Sequence, residues 1–234
     1  LDFIRKSNTL QKEAGGITQH VAAYDVERAG KNGKKRITFI DTPGHQAFSS
    51  MRERGAKVAD IGILVVAIDD GVQPQTKEAF KILQETQTPV VVAINKIDLP
   101  DADLIKTKQQ LADSGLATEE WGGKTITVPI SAKTGEGVGA ILDRIVKDIP
   151  IPSGKTEAPT QALIFDSYYD DYRGVILYIR VVDGHISKSD QIHMVSADSS
   201  GLALEVGSLN PGLSPSPKLK SGEIGRVQKI VYSD

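Results

Sequence analysis

Apolar residues fall in short runs separated by polar stretches of regular length. Residues 36–40, 61–68, 90–94 and 125–130 read as buried parallel strands. The run 61–68 is nearly continuous in apolar character, as a strand covered on both faces requires. Residues 75–86, 102–114 and 138–148 repeat apolar positions at helical spacing. Strands alternating with helices predict an α/β domain built on a doubly wound sheet. Near its start, segments 21–27 and 36–40 flank the polar turn 30–35, and Asn32-Gly33 predicts a hairpin tip.

From residue 149 the pattern changes. Residues 149–159 carry three prolines, a glycine and a serine, which predicts a linker at 150–159 between a first domain at 1–149 and a second at 160–234. Beyond it, short runs at 162–165, 175–182, 191–195, 203–206 and 227–232 are separated by Gly, Asp, Ser and Pro turns. That many short strands in so few residues predict a small antiparallel β-barrel. Residues 212–220, with alternating Ser and Pro, read as a surface loop.

Composition narrows the class. Hydrophobic residues make up 39% of the 234 and charged residues 25%, as in ordinary globular domains, and the net charge is −2. Residues 1–150 hold 20 basic and 20 acidic side chains, so no basic field advertises nucleic acid; DNA is not expected, and any RNA contact would rest on local patches. The absence of cysteine excludes disulfides, thiolate zinc sites and thiol catalysis within these residues. No 18-residue apolar stretch and no signal-like start occur, so the expectation is a cytoplasmic protein without membrane association.

Three strings follow predicted strands, where the loops of an open α/β sheet form the ligand crevice. In Asp41-Thr42-Pro43-Gly44-His45, Asp41 can hold a magnesium-bound water and Gly44 lets its N–H approach a γ-phosphate oxygen. His45 can orient an attacking water; a plain strand-end turn with a capping Asp or Thr is the alternative. In Asn95-Lys96-Ile97-Asp98, the Asp98 carboxylate suits the paired N1 and N2 donors of guanine, Asn95 suits the opposite edge and a tie between loops, and the Lys96 stem can lie on the ring. An Asn/Asp turn before Pro100 would look the same. Ser131-Ala132-Lys133 can close a base pocket with a backbone N–H and the Lys133 stem, or simply begin a helix. Thr18, on the flexible Gly15-Gly16-Ile17-Thr18 segment, can complete magnesium coordination in a switch loop. Trp121 reads as packing, and Tyr168, Tyr169 and Tyr172 suit either an RNA or protein contact or packing within their own domain.

In order, these strings resemble the translational GTPase superfamily. Up to about residue 137 the chain is similar to the GTPase domain of bacterial translation initiation factor two, through Glu13-Ala14-Gly15-Gly16-Ile17-Thr18-Gln19-His20 and residues 37–54, 69–76 and 92–98. From about Val138 it is similar to elongation factor four (LepA), including its barrel, through residues 162–184, 204–207 and 221–225. The resemblance implies a P-loop-type GTPase sheet, GTP and GDP as substrate and product, Mg2+ as cofactor, and the ribosome (ribosomal RNA and proteins) as partner, with tRNA as a further candidate. It assigns Asp41, Thr42, Pro43, Gly44, His45, Asn95, Lys96, Asp98, Ser131, Ala132 and Lys133 to nucleotide binding. His45 and Gly44 take the catalytic part; Thr18, and Asp41 through water, hold the metal. No Gly-x-x-x-x-Gly-Lys-[Ser/Thr] string occurs, and Leu1-Asp2-Phe3-Ile4-Arg5 reads as the middle of the helix that follows such a loop. The expectation is therefore a sheet without its first strand and phosphate loop. Two functions follow: a ribosome-stimulated GTPase, or a guanine-nucleotide or ribosome-binding module without turnover.

Overall fold

Parallel pairing of three apolar runs organises the first part of the computed structural model, which describes residues 1–5, 22–30, 33–42, 49–149, 151–209 and 214–231. In chain order come α1 (Asp2–Arg5), β1 (Ala22–Gly30), β2 (Gly33–Asp41), α2 (Ser49–Val58), β3 (Gly62–Ala67), α3 (Pro74–Glu85), β4 (Val90–Asn95), α4 (Leu104–Asp113), β5 (Ile126–Pro129) and α5 (Val138–Asp148). β3, β4 and β5 form a parallel sheet in that order, with Ala67 opposite Asn95 and Ile94 opposite Pro129. Each crossover carries one α-helix, the connection that parallel strands require, and the second adds a short 3₁₀ turn at Glu119–Trp121.

Alternation decides the packing. Leu64, Val66, Ile68, Val92 and Ile94 share a core with Leu111 of α4 and with Leu116, and Ala79 and Phe80 of α3 pack against it. Val91 and Ala93, which alternation turns to the opposite face, are buried as well. The helix α5 buries Val138, Ile141, Leu142 and Ile145, one stripe at helical spacing. α4 starts at an Asp103 cap whose Oδ1 accepts Lys106 N–H at 3.0 Å.

β2 departs from the sequence expectation. It forms a two-stranded sheet with β1 instead of joining the parallel sheet. Lys34, Lys35 and Arg36 fill its first half, and Phe39 is its buried side chain, stacked on Tyr24 at 5.3 Å. Such a strand suits a hairpin more than a position covered on both faces.

The described residues divide into two compact units, one within Leu1–Ala22, Val26–Ile37 and Asp41–Pro150, the other within Ala23–Asp25, Thr38–Ile40 and Ile151–Asp234. The second unit adds β6 (Gln161–Asp170), β7 (Gly174–Asp183), β8 (His185–Ser187), β9 (Gln191–Met194), β10 (Ser199–Ser208), β11 (Ser214–Pro215), β12 (Lys218–Lys220) and β13 (Ile224–Val231). Its main sheet runs β11-β10-β13-β7-β6 with β9 on β10, and β12 pairs with β8. Every pair is antiparallel. Register shifts at Ile164/Asp166 and Ala203/Glu205 increase the local bend, which lets the sheet curl over Leu177, Ile179, Val181, Ile186, Ala203, Val206, Leu219 and Val227. This is the antiparallel barrel class expected from the sequence.

Part of the expected surface loop 212–220 is corrected. Lys218–Lys220 is a strand, and its central Leu219 is 1% exposed. The Pro-rich stretch before β6 lies against the second unit: Lys155 N–H donates to Asp183 Oδ1 at 2.8 Å, and Gly184 N–H donates to Lys155 O at 2.8 Å.

Candidate functional site

Register brings three loops to one edge. Since Ala67 lies opposite Asn95 and Ile94 opposite Pro129, the segments that follow β3, β4 and β5 emerge side by side at the carboxyl ends of the strands. They carry Asp69-Asp70-Gly71, Asn95-Lys96-Ile97-Asp98 and Ser131-Ala132-Lys133.

The second and third loops are joined directly. Asn95 Oδ1 accepts the Ala132 N–H at 2.9 Å, and Ile97 N–H donates to Ile130 O at 3.3 Å. Beneath them, Ser131 is fully buried: its Oγ accepts Thr134 N–H at 3.1 Å, its carbonyl accepts Gly135 N–H at 2.8 Å, and its own N–H donates to Glu136 O at 2.9 Å. Ser131 therefore shapes the loop from below, while Ala132 and Lys133 are exposed on the rim. Gly137, at φ +72°, closes this turn and starts α5.

Lys96 has a left-handed backbone at φ +69°, uncommon for a lysine and typical of residues held in place at a site. Its Nζ donates to Asp69 Oδ2 at 2.7 Å and Asp70 Oδ2 at 3.4 Å. The hydrogen bond to Lys96 holds the Asp69 carboxyl below its usual range, and the same bond raises the Lys96 ammonium. Both therefore stay ionised around neutral pH. The loop after β3 is fixed in turn by α4: Val72 N–H donates to Gln110 Oε1 at 3.1 Å. Asp98 is exposed on a turn that Leu99 N–H closes onto Lys96 O at 3.1 Å.

The structure thus gathers Asn95, Lys96, Asp98, Ser131, Ala132 and Lys133 at the ends of neighbouring strands. Asp41 ends β2, in a different sheet, and Thr42 follows it, with Thr42 Cγ2 only 2.9 Å from where a Cβ on Gly55 of α2 would stand. Thr18, Pro43, Gly44 and His45 lie outside the described residues. Sequence reasoning assigned no chemistry to Asp69, Asp70 or Gln110. The signal for the acids was available: consecutive carboxylates directly after a buried strand must stand next to whatever follows the adjacent parallel strand.

The Elongation factor Tu GTP binding domain matches residues 5–151 of the chain. Translation initiation factor IF-2 of Kosmotoga olearia is 51% identical over 199 residues, which cover 82% of this chain and 28% of that protein. The IF-2 of Rubrobacter xylanophilus is 47% identical over 194 residues, 82% of this chain and 28% of its own length. The chloroplastic IF-2 of Rhodomonas salina is 47% identical over 192 residues, 81% and 26% respectively. The chain accordingly spans about a quarter of the length of these relatives. Spans covering four-fifths of the chain pass Val138, so similarity to initiation factors extends beyond the point where the resemblance to elongation factor four begins. With residues 5–151 inside the matched domain, more than half its length, the chain belongs to the family of the elongation factor Tu GTP-binding domain.

Proposed function

We propose that this chain is the guanine-nucleotide-binding portion of a cytoplasmic translation factor that hydrolyses GTP on the ribosome. The observation that carries the reading is the tie between Asn95 Oδ1 and the Ala132 N–H at 2.9 Å, which sets two exposed loops, one bearing Asp98 and one Lys133, on either side of a common edge. Asp98 would accept from the N1 and N2 donors of guanine, the stems of Lys96 and Lys133 would face the ring, and Ser131 would hold the loop beneath. Because the Ala132 N–H is engaged by Asn95, the neighbouring Lys133 N–H is the donor assigned to the guanine oxygen. The domain division follows the same reading: a GTPase domain at 1–149, a linker at 150–159 and a translation-factor barrel at 160–234.

Asp41, Thr42, Pro43, Gly44 and His45 are assigned to the γ-phosphate end, with His45 and Gly44 in the catalytic part. Magnesium keeps several waters and takes one or two oxygen donors from protein, and Asp41, a single half-buried carboxylate at the end of β2, fits an outer position reached through water. Thr18 is the proposed direct ligand. When bound, the ion neutralises charge on the phosphates. Ribosomal RNA and proteins are the assigned partners, and tRNA is a candidate through the parent factor.

Titration of the chain with GDP and ATP, followed by backbone amide resonances, tests the base reading. GDP should move the amides of Asn95–Asp98 and Ala132–Lys133, while ATP leaves them in place. Equal shifts from both nucleotides would refute it. Turnover is tested in a version extended with a strand and a Gly-x-x-x-x-Gly-Lys-Thr loop. There, His45→Ala should leave GTP affinity within a few fold and slow ribosome-stimulated hydrolysis about 10²-fold, the scale of a lost positioning group in proton transfer. Hydrolysis at the parental rate would remove His45 from the mechanism.

A further inference from the structure

The left-handed backbone of Lys96 fixes where its side chain leaves the loop, and the far end of that side chain is fixed as well. Ile68 N–H donates to Asn95 O at 2.9 Å, which seats the segment after β3 against the residue preceding Lys96. From that segment, Asp69 Oδ2 and Asp70 Oδ2 take the ammonium at 2.7 and 3.4 Å.

The acidic pair is itself rigidly held. Asp69 Oδ1 accepts Asp70 N–H at 3.1 Å, so one carboxylate oxygen shapes the turn and the other receives Lys96. Gly71 N–H donates to Ala67 O at 2.8 Å, and Gln73 Nε2 donates to Asp70 O at 2.5 Å. Gly71 adopts φ +67°, and a Cβ there would stand 2.1 Å from Gln110 Oε1, so the turn and α4 are fitted to each other. An anchor this well built exceeds what an exposed ion pair needs, since such pairs contribute little to fold stability.

We infer that Asp69, supported by Asp70, is a positioning residue of the guanine site: it holds the aliphatic stem of Lys96 in one conformation, so that the base meets a preformed wall. The inference rests on the proposal that the Asn95–Asp98 loop receives guanine. Its physical basis is preorganisation. A free lysine side chain has several rotatable bonds to immobilise when a ligand settles on it, and a stem already pinned at both ends has lost that freedom in advance. Asp69 itself would not touch the nucleotide.

The test uses the 234-residue chain with GDP as the probe, affinity being read from amide shifts at Ala132 and Lys133 and stability from thermal unfolding. Replacing both acids (Asp69→Asn with Asp70→Asn) removes the charge, while the amide oxygen can still accept the Asp70-position N–H and keep the turn. GDP affinity should fall about three- to tenfold, the loss expected when one rotamer-rich side chain must be ordered on binding, with no change in melting temperature. Asp69→Glu, which retains the charge, should restore affinity to within about twofold of the parent. Lys96→Met keeps an apolar stem and removes the ammonium; it should weaken GDP by a similar factor, and adding the two Asn substitutions to it should change nothing more. The side-chain methylene resonances of Lys96, distinct in the parent, should average in the double Asn variant.

Parental affinity in the double Asn variant, alongside loss of GDP in Asp98→Asn, overturns the positioning role and leaves the guanine reading intact. Additive effects of Lys96→Met and the double Asn change overturn it too, as does a melting temperature that falls in step with affinity. Failure of the parent to bind GDP, or undiminished binding by Asp98→Asn, removes the guanine reading and this inference with it.

Discussion

Asp98→Asn should exchange guanine for xanthine as the preferred base, lowering GDP affinity by about 10–10⁴-fold, the range given by one or two charge-assisted hydrogen bonds at about 1.5–3 kcal/mol each. Guanine offers two donors, N1–H and the 2-amino group, to a single acceptor-only carboxylate. An asparagine amide turns one of its two positions into a donor, and a donor facing a donor leaves both unpaired. Xanthine carries a carbonyl at that position and restores the match. The exchange is readable because little else should change. Asp98 is exposed, and the turn that holds it is closed by the backbone bond from Leu99 N–H to Lys96 O, which the substitution does not touch. Competition of GDP against xanthosine diphosphate, in the chain and in its loop-extended version, measures the effect. Unaltered GDP affinity with no gain for xanthosine diphosphate would place the base elsewhere.

How much of this was legible in the sequence differs from element to element. β4 is an uninterrupted apolar run up to Ile94, and its Val91, Val92, Ala93 and Ile94 are all buried, as a strand covered on both faces demands. β3 is just as apolar but lies at the edge of the described sheet with Val65 56% exposed, so its two-sided cover, expected from the run alone, is corrected. α5 repeats its buried residues at 138, 141, 142 and 145, a stripe that any helical reading detects. α2 gives no such signal. Its sequence is largely polar, with buried Ala56 and Val58 as its apolar anchors, and Arg52 meets Glu78 of α3 at 2.7 Å. β12 was missed for a related reason. One leucine between two lysines carries no periodicity, and what makes Lys218–Lys220 a strand is its pairing with His185–Ser187, more than thirty residues earlier in the chain.

The site divides along the same line. Asn95, Asp98 and Ser131–Lys133 announce themselves as short strings, because the base-binding chemistry proposed for them depends on local spacing. The ion pairs of Lys96 with Asp69 and Asp70, the engagement of the Ala132 N–H by Asn95 and the support from Gln110 depend on which strands lie side by side. Such contacts follow from register, which is a property of the folded sheet. The left-handed backbone at Lys96 belongs with them, since nothing in the residue type favours it.

Gly137→Ala should be strongly destabilising, by about 2–5 kcal/mol, although it adds one methyl group. Two effects combine. Gly137 has φ +72°, where a residue with a Cβ loses about 1–2 kcal/mol. The added Cβ would also fall 2.1 Å from the carbonyl oxygen of Pro129, a backbone atom of β5 that cannot swing aside, and forced overpacking of this kind typically adds about 1–3 kcal/mol. For a unit of this size the melting temperature should drop by about 5–15 °C. Gly122→Ala separates the two effects, because Gly122 has φ +77° with nothing within 4 Å of the same position. It should lose only the backbone contribution, about 1–2 kcal/mol. The consequences should also differ in place. Ser131 N–H is bonded to the carbonyl of Glu136, immediately before Gly137, so displacing that residue pulls on the loop that presents Ala132 and Lys133. Amide resonances of the 131–136 turn should therefore move in Gly137→Ala and stay in place in Gly122→Ala. Equal destabilisation by the two substitutions would show that β5 yields to the added methyl, and that the start of α5 does not set the shape of the 131–136 turn.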